Sequence, residues 1–305
     1  MKNILILFVL LGFAKSLISC KKTDSSKPMA LKTYKFDLQG HRGARGILPE
    51  NSLQAFQKAI DIGVNTLELD VVISKDSMVV VSHDAYMNPE ICLNAQGQKI
   101  SDSSQFNLYK MNYEDIKTFD CGSLQHPNFP EQKPLKTHKP LLSEVIKMTT
   151  DNLKKKGTRV SLNIEIKSSP ETDGVYHPKP DVFADLVIKT IKNELIPLNK
   201  INIQSFDKRV VRYVIDHYPE ISTAYLVENG SFYENLQDLG KTPQIYSPYF
   251  KTLDSLDVKQ AHNSGVKVIP WTVNEISDMQ NLLELGVDGL ITDYPNRAKA
   301  LQSSN

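Results

Sequence analysis

NTLELDVVISKDSMVVVSHD, Asn65 to Asp84, holds two β-branched runs separated by Lys75-Asp76-Ser77. Strands bound for a core carry apolar side chains, yet the first run contains Glu68 and Asp70 and the second ends in His83-Asp84. Only three residues join the runs, whereas a parallel crossover needs about a dozen or more, so the pair must be an antiparallel hairpin. With its turn centred between Asp76 and Ser77, Asp70 is expected opposite His83. Strand alternation puts Glu68 on the same face as Asp70.

Outward from this hairpin the chain alternates between strand-like and helix-like runs. Strand runs are FDLQG (36–40), TLELDVVIS (66–74), VSLNIEIK (160–167), INIQSF (201–206), STAYLV (222–227), QIYSP (244–248), VKVIPWTV (266–273) and DGLITD (288–293). Helical spacing is clear in NSLQAFQKAIDIG (51–63), where Leu53, Phe56 and Ile60 share a face and Gly63 stops the helix. Further helices are expected over 141–157, 181–195, 207–218, Leu256–Asn263 and Ile276–Leu285. If the arm MVVVSHD belongs to the hairpin, eight parallel strands remain. They fit an α/β fold, a (β/α)8 TIM barrel with a hairpin after its second strand.

Residues 85–140 leave the repeat and read as an insertion over the mouth of the barrel, ending in the Pro-spaced HPNFPEQKPLKTHKP. A chain of 305 residues with 40% hydrophobic and 23% charged content suits such a domain, and a net charge of +1 gives no basic field for nucleic acid.

Active groups of this barrel type sit at the carboxyl ends of the strands. Those ends read His41-Arg42, Glu68 with Asp70, His83 from the hairpin, Glu165 with Lys167, Gln204-Ser205-Phe206, Trp271-Thr272 and Asp293. Glu68, Asp70 and Glu165 are hard oxygen donors with no cysteine among them, a set suited to Ca2+ or Mg2+. Without a cation they would repel and raise one another's pKa. Arg42 and Lys167 add positive charge where an anionic phosphate would sit, and two histidines can divide proton transfer. Singly, each residue has an ordinary structural reading; their coincidence at successive strand ends points to phosphodiester cleavage.

These residues resemble the glycerophosphodiester phosphodiesterases of the phospholipase-C-like barrel superfamily. GHRG (40–43), PENS (49–52), ELDV (68–71), KD (75–76), SHD (82–84), IEIK (164–167), QSF (204–206), WTVN (271–274) and TDYP (292–295) follow that family in order. The resemblance implies Glu68, Asp70 and Glu165 as ligands of one divalent cation, with Glu50 ligating or buttressing that site. It implies His41 as base and His83 as acid, Arg42 and Lys167 as phosphate contacts, and Phe206 and Trp271 as walls beside the glycerol. It further implies attack by the substrate's own glycerol hydroxyl, giving a cyclic phosphate that water opens. The family commonly has Gly in the turn where this chain has Ser77. Two other readings stay open: an enzyme of this superfamily acting on an intact lipid or another glycerol- or inositol-bearing diester, and a non-catalytic phosphodiester-binding lipoprotein.

The N-terminus reads as an export signal. Lys2 precedes an apolar run, Ile4 to Phe13, too short to span a bilayer, and Leu17-Ile18-Ser19-Cys20 resembles a bacterial lipobox. Residues 1–19 are expected to be cleaved, Cys20 to be lipidated, and residues 20–33 to form a tether before the domain at 34–302. Losing Lys2 and Lys15 takes the net charge from +1 to −1, so acyl chains rather than electrostatics would hold the protein to its membrane. Lys21 after the lipidated cysteine leans towards the outer membrane. Export into an oxidising compartment also makes Cys92 and Cys121 candidates for a disulfide.

Overall fold

The computed structural model describes residues 32–157 and 159–303; residues 1–31, with the leader, Cys20 and most of the tether, lie outside it. The chain runs β1 (Asp37–Gly40), α1 (Leu53–Ile62), β2 (Thr66–Ile73), β3 (Val79–Val81), α2 (Tyr113–Ile116), α3 (Leu142–Lys156), β4 (Ser161–Ile166), α4 (Pro180–Asn193) and β5 (Ile201–Ser205). It continues through α5 (Lys208–His217), β6 (Ser222–Val227), α6 (Phe232–Leu239), β7 (Ile245–Pro248), α7 (Ser255–Asn263), β8 (Lys267–Val268), α8 (Ile276–Leu285), β9 (Gly289–Thr292) and α9 (Pro295–Lys299).

Eight strands lie parallel in the order β8-β7-β6-β5-β4-β2-β1-β9, with β3 antiparallel to β2 off this path. The two ends of this path meet through backbone hydrogen bonds from Asp288 N–H to Val268 O (2.9 Å) and from Ile291 N–H to Pro270 O (3.1 Å). The sheet is therefore the expected barrel, nearly closed. The run 266–273 shortens to a two-residue strand, because Pro270 has no N–H for the ladder.

Caps fix where the helices begin and end. In α1 the Ser52 hydroxyl accepts from Ala55 N–H, and Gly63 closes the helix in the left-handed region at φ 91°. Phe56, Phe183, Val210, Val214 and Phe232 pack from the helices onto the outer face of the barrel as one buried cluster. Helix α6 was not anticipated. Its signal is the capping box formed by Ser231 and Glu234.

The hairpin forms, but its register differs by one from the expected one. Val71 pairs with Val81, Val72 with Val80 and Ile73 with Val79, and Ser82 N–H donates to Asp70 O at 3.0 Å. Asp70 thus faces Ser82, and His83 lies one residue past the pair. The turn is the cause: Ser74 N–H donates to Met78 O at 3.0 Å, and Ser77 takes a left-handed φ of 61°. Three residues, not two, close the loop.

The insertion carries a small core of its own. Met87, Ile91, Leu108, Ile116 and Phe119 bury against Val72 and Val80 of the hairpin, and a Cys92–Cys121 disulfide lies within that cluster. Its exit pairs back onto β3 through Val81 N–H to Pro140 O, 2.8 Å.

Candidate active site

Parallel pairing of β2, β4 and β5 sets the site. Asp70 is level with Glu165, and Glu165 with Gln204, so alternate residues of three neighbouring strands face one another inside the barrel. Beneath the carboxylates the interior is polar. Asn163 Nδ2 donates to Gln39 Oε1 and Gln204 Oε1, both at 2.9 Å, and Gln204 Nε2 donates to Glu68 Oε1 at 2.7 Å. A satisfied network of this kind fixes side chains rigidly where Val or Ile would normally fill a barrel.

Glu68, Asp70 and Glu165 each present an oxygen within 4.8 Å of the others, and all three residues are buried. Burial, then the Asp70 and Glu165 carboxylates, push Glu68 well above the usual carboxylate range. Burial also raises Glu165, outweighing Lys167. Asp70 goes the other way: burial opposes its charge, but Arg42, His83, Lys167 and the Asn51 amide together hold it ionised. Asp70 Oδ1 is buried and accepts no hydrogen bond among the described residues. Three buried oxygens so spaced would suit a hard divalent cation, which would neutralise their charge and satisfy Asp70 Oδ1.

The loop after β1 wraps this cluster. Arg42 is left-handed at φ 48° and its N–H donates to Glu68 Oε2 at 2.9 Å. Gly43 follows at φ 88°, where an added Cβ would meet the Ala55 carbonyl carbon at 2.7 Å. Asn51, left-handed at φ 52°, donates Nδ2 to Asp70 Oδ2 at 2.8 Å. Non-glycine residues in this region carry backbone strain, which accumulates at functional sites.

Glu50, expected to ligate or buttress the metal site, stands outside the three-carboxylate cluster. Its oxygens lie 2.9 Å from Arg42 Nη1 and 2.7 Å from Arg45 Nε. Burial opposes the charge, but the two arginines bring its pKa down to about 2. Lys167 Nζ contacts Glu165 Oε1 at 2.9 Å and lies 3.9 Å from Asp70 Oδ1.

The two histidines are held differently. His41 Nδ1 lies 2.6 Å from Asp293 Oδ1, and its Nε2 is 3.9 Å from Glu68 Oε2. A carboxylate on Nδ1 selects the tautomer with its proton there, leaving Nε2 as the basic nitrogen. Burial lowers the His41 pKa against the pull of Asp293, which favours the neutral ring. His83 Nδ1 contacts Asp84 Oδ1 at 3.0 Å, and its side chain is partly exposed. Behind it, buried Lys139 donates Nζ to Ser82 Oγ at 2.8 Å.

A cleft of about 150 Å³ joins these groups, lined by His41, Arg42, Glu68, His83, Lys167 and Trp271 among others. Phe206 and Trp271 meet edge to face, ring centres 5.3 Å apart, at its apolar side. Arg45, Asn51, Gln204, Asp293 and Lys139 complete the site but escaped sequence reasoning as participants. Only Asp293 and Gln204, at strand ends, carried a positional signal.

Residues 41–297 match the glycerophosphoryl diester phosphodiesterase family. The chain is 30% identical over 255 residues to a glycerophosphodiester phosphodiesterase of Caldanaerobacter subterraneus, covering 84% of this chain and 93% of that one. A Bacillus subtilis glycerophosphodiester phosphodiesterase is 28% identical over 307 residues, covering 96% of each. Among solved structures, a putative glycerophosphoryl diester phosphodiesterase from Silicibacter pomeroyi superposes with a TM-score of 0.78 at 27% identity, covering 89% of this chain and 95% of that chain. Family match, relatives and fold agree: the chain belongs to the glycerophosphoryl diester phosphodiesterase family and is an enzyme of that class.

Proposed function

We propose that the cleft hydrolyses a glycerophosphodiester to glycerol 3-phosphate and an alcohol by histidine acid–base chemistry beside one divalent cation. The observation that carries this reading is the buried Glu68–Asp70–Glu165 cluster, in which Asp70 Oδ1 accepts no hydrogen bond among the described residues, beside a cleft that both histidines line. Glu68, Asp70 and Glu165 would hold Ca2+ or Mg2+, which when bound supplies charge neutralisation at a phosphoryl oxygen.

The chain's own residues do the rest. Arg42 and Lys167 place positive charge beside the anion, and Phe206 and Trp271 wall the glycerol. His41, held by Asp293, takes the proton of the glycerol hydroxyl through Nε2 as that oxygen bonds to phosphorus. The bond from phosphorus to the alcohol breaks, and His83 gives the departing oxygen a proton. Water then opens the cyclic phosphate with the roles reversed, restoring both histidines.

The test is glycerol 3-phosphate release from glycerophosphocholine by the purified full chain with added Ca2+ or Mg2+. His41→Ala and His83→Ala are each expected to lower kcat by about 100-fold or more. No release with either metal overturns the reading; full activity in either variant overturns the histidine assignment. A diester lacking the neighbouring hydroxyl but cleaved at an unchanged rate would overturn internal attack.

We also propose that the chain is exported and lipid-anchored. It rests on the Leu17–Cys20 sequence and the short apolar run before it. The enzyme would face its substrate from a bacterial membrane, the outer membrane by the Lys21 signal, held there by acyl chains on Cys20.

A further inference from the structure

The amino ends of the eight parallel strands form the base of the barrel, at the opposite end from the mouth that holds the site. The domain is entered at this end: Tyr34 N–H donates to Leu301 O at 2.8 Å, and β1 begins at Asp37. A hollow of about 570 Å³ lies in the base, with Lys35, Arg159, Lys200 and Lys267 on its wall. These cations come from the segments before β1, β4 and β5 and from the first residue of β8. Lys35, Arg159 and Lys267 are exposed, and Lys200 is half-buried.

The acids of this end are engaged elsewhere. Glu220 pairs with Lys192 at 3.0 Å and Asp216 with Lys241 at 2.6 Å. Asp288 Oδ2 accepts from Val268 N–H at 2.8 Å and contacts His262 Nε2 at 2.9 Å. Asp37 accepts from Gln39 Nε2 and Thr66 Oγ1, both at 2.8 Å, and burial raises its pKa against the more distant pull of Lys267 and Lys200. The hollow therefore presents an excess of positive charge to solvent.

Beside it an apolar cleft of about 250 Å³ shares Arg159 and Lys200 and is lined by Leu153, Leu195, Ile196 and Pro197 among others. Pro197 disfavours helical backbone at Ile196, so the chain leaves α4 here and Leu195 stands in solvent. At 87% exposure, Leu195 is the most exposed large apolar side chain among the described residues. One exposed leucine is ordinary. A leucine-lined cleft edged by cations is the chemistry of a surface that meets anionic lipid, where aliphatic groups enter the headgroup layer and Lys or Arg pair with phosphates.

We propose that the base of the barrel docks on an anionic lipid bilayer, with Leu153 and Leu195 entering the headgroup layer and Lys35, Arg159, Lys200 and Lys267 facing lipid phosphates. The inference rests on the anchoring reading and deepens it, since an acylated Cys20, fourteen residues before Tyr34, would be joined to the domain at this end. Acyl chains hold the protein to the membrane, and the base sets which way the domain faces. The mouth then opens away from the bilayer that carries the anchor, and diesters reach it from the aqueous side.

The test uses the full acylated chain in vesicles, carrying a nitrobenzoxadiazole dye at Leu195→Cys on the base or at Ile276→Cys at the mouth end. Cys92 and Cys121 are paired and take no label. Quenching by a nitroxide-bearing lipid is compared between phosphatidylcholine vesicles and vesicles that also contain phosphatidylglycerol. On the anionic vesicles, quenching at position 195 is expected to exceed that at 276 by at least about threefold, and to fall at least about twofold without phosphatidylglycerol, in about 0.5 M NaCl, or when Arg159→Glu and Lys200→Glu are added. The lipid and salt readouts need no charge variant to fold. Equal quenching at the two positions, or quenching at 195 that ignores phosphatidylglycerol, salt or the charge reversals, overturns the docking alone. A chain recovered without acyl chains and apart from the vesicles overturns the anchoring reading and the docking with it.

Discussion

Glu50 shows how one carboxylate can shape a site without entering the three-carboxylate cluster. It is buried between Arg42 and Arg45, and its pKa falls from the ordinary 4.5 to about 2 because those two charges outweigh burial. A depressed folded pKa stabilises the protein above the unfolded value, and this contribution is lost as pH falls through the folded one. The wild type should therefore lose stability between about pH 4.5 and pH 2 in a way that Glu50→Gln does not. At pH 7 the same substitution leaves two arginines side by side and is expected to cost about 3 kcal/mol in urea unfolding. An acid limb of the same slope in both proteins would remove the role given to this pair. Much of the residue-level site was legible because Glu68, Asp70, Glu165 and the histidines fall at strand ends. Their supports were not, because Arg45 and Asn51 reach the site by loop geometry. No periodicity in a sequence records a loop's path.

At the scale of elements, the strand count and most helices followed from hydrophobic period, whereas the hairpin register did not. Residues 75–77 do not reveal whether two or three of them form the turn, and that difference moves every cross-strand partner by one. Ser77 is the residue that bears the consequence, since its φ of 61° is left-handed. Ser77→Gly should stabilise the protein by roughly 0.5 kcal/mol, the relief of 1–2 kcal/mol of left-handed strain less the extra entropy glycine loses on folding. Urea midpoints would check this, and a destabilised glycine variant would show that the side chain earns its place otherwise. Pro270 is the comparable case in β8. It cut an eight-residue run to a two-residue strand, and it could have been weighed from sequence because proline cannot donate to a ladder. The insertion had no legible period because its order comes from a disulfide and a small core against the hairpin.

For the whole molecule, the barrel gathers charge from distant parts of the sequence to one mouth, and the N-terminus bears on where that mouth works. If Cys20 is lipidated, Cys20→Ala should move the protein from the membrane fraction to the soluble fraction in fractionated cells; unchanged membrane association would contradict the anchor. Glycerophosphodiester cleavage is proposed to depend on a divalent-cation site formed by Glu68, Asp70 and Glu165. The most direct test is glycerol 3-phosphate release by chelator-stripped protein during titration with Ca2+ or Mg2+, alongside Glu165→Gln. No release is expected without metal, with saturable recovery in the wild type and at least about 100-fold weaker recovery in Glu165→Gln. Full release by the stripped wild-type protein, or equal recovery in the variant, would contradict it.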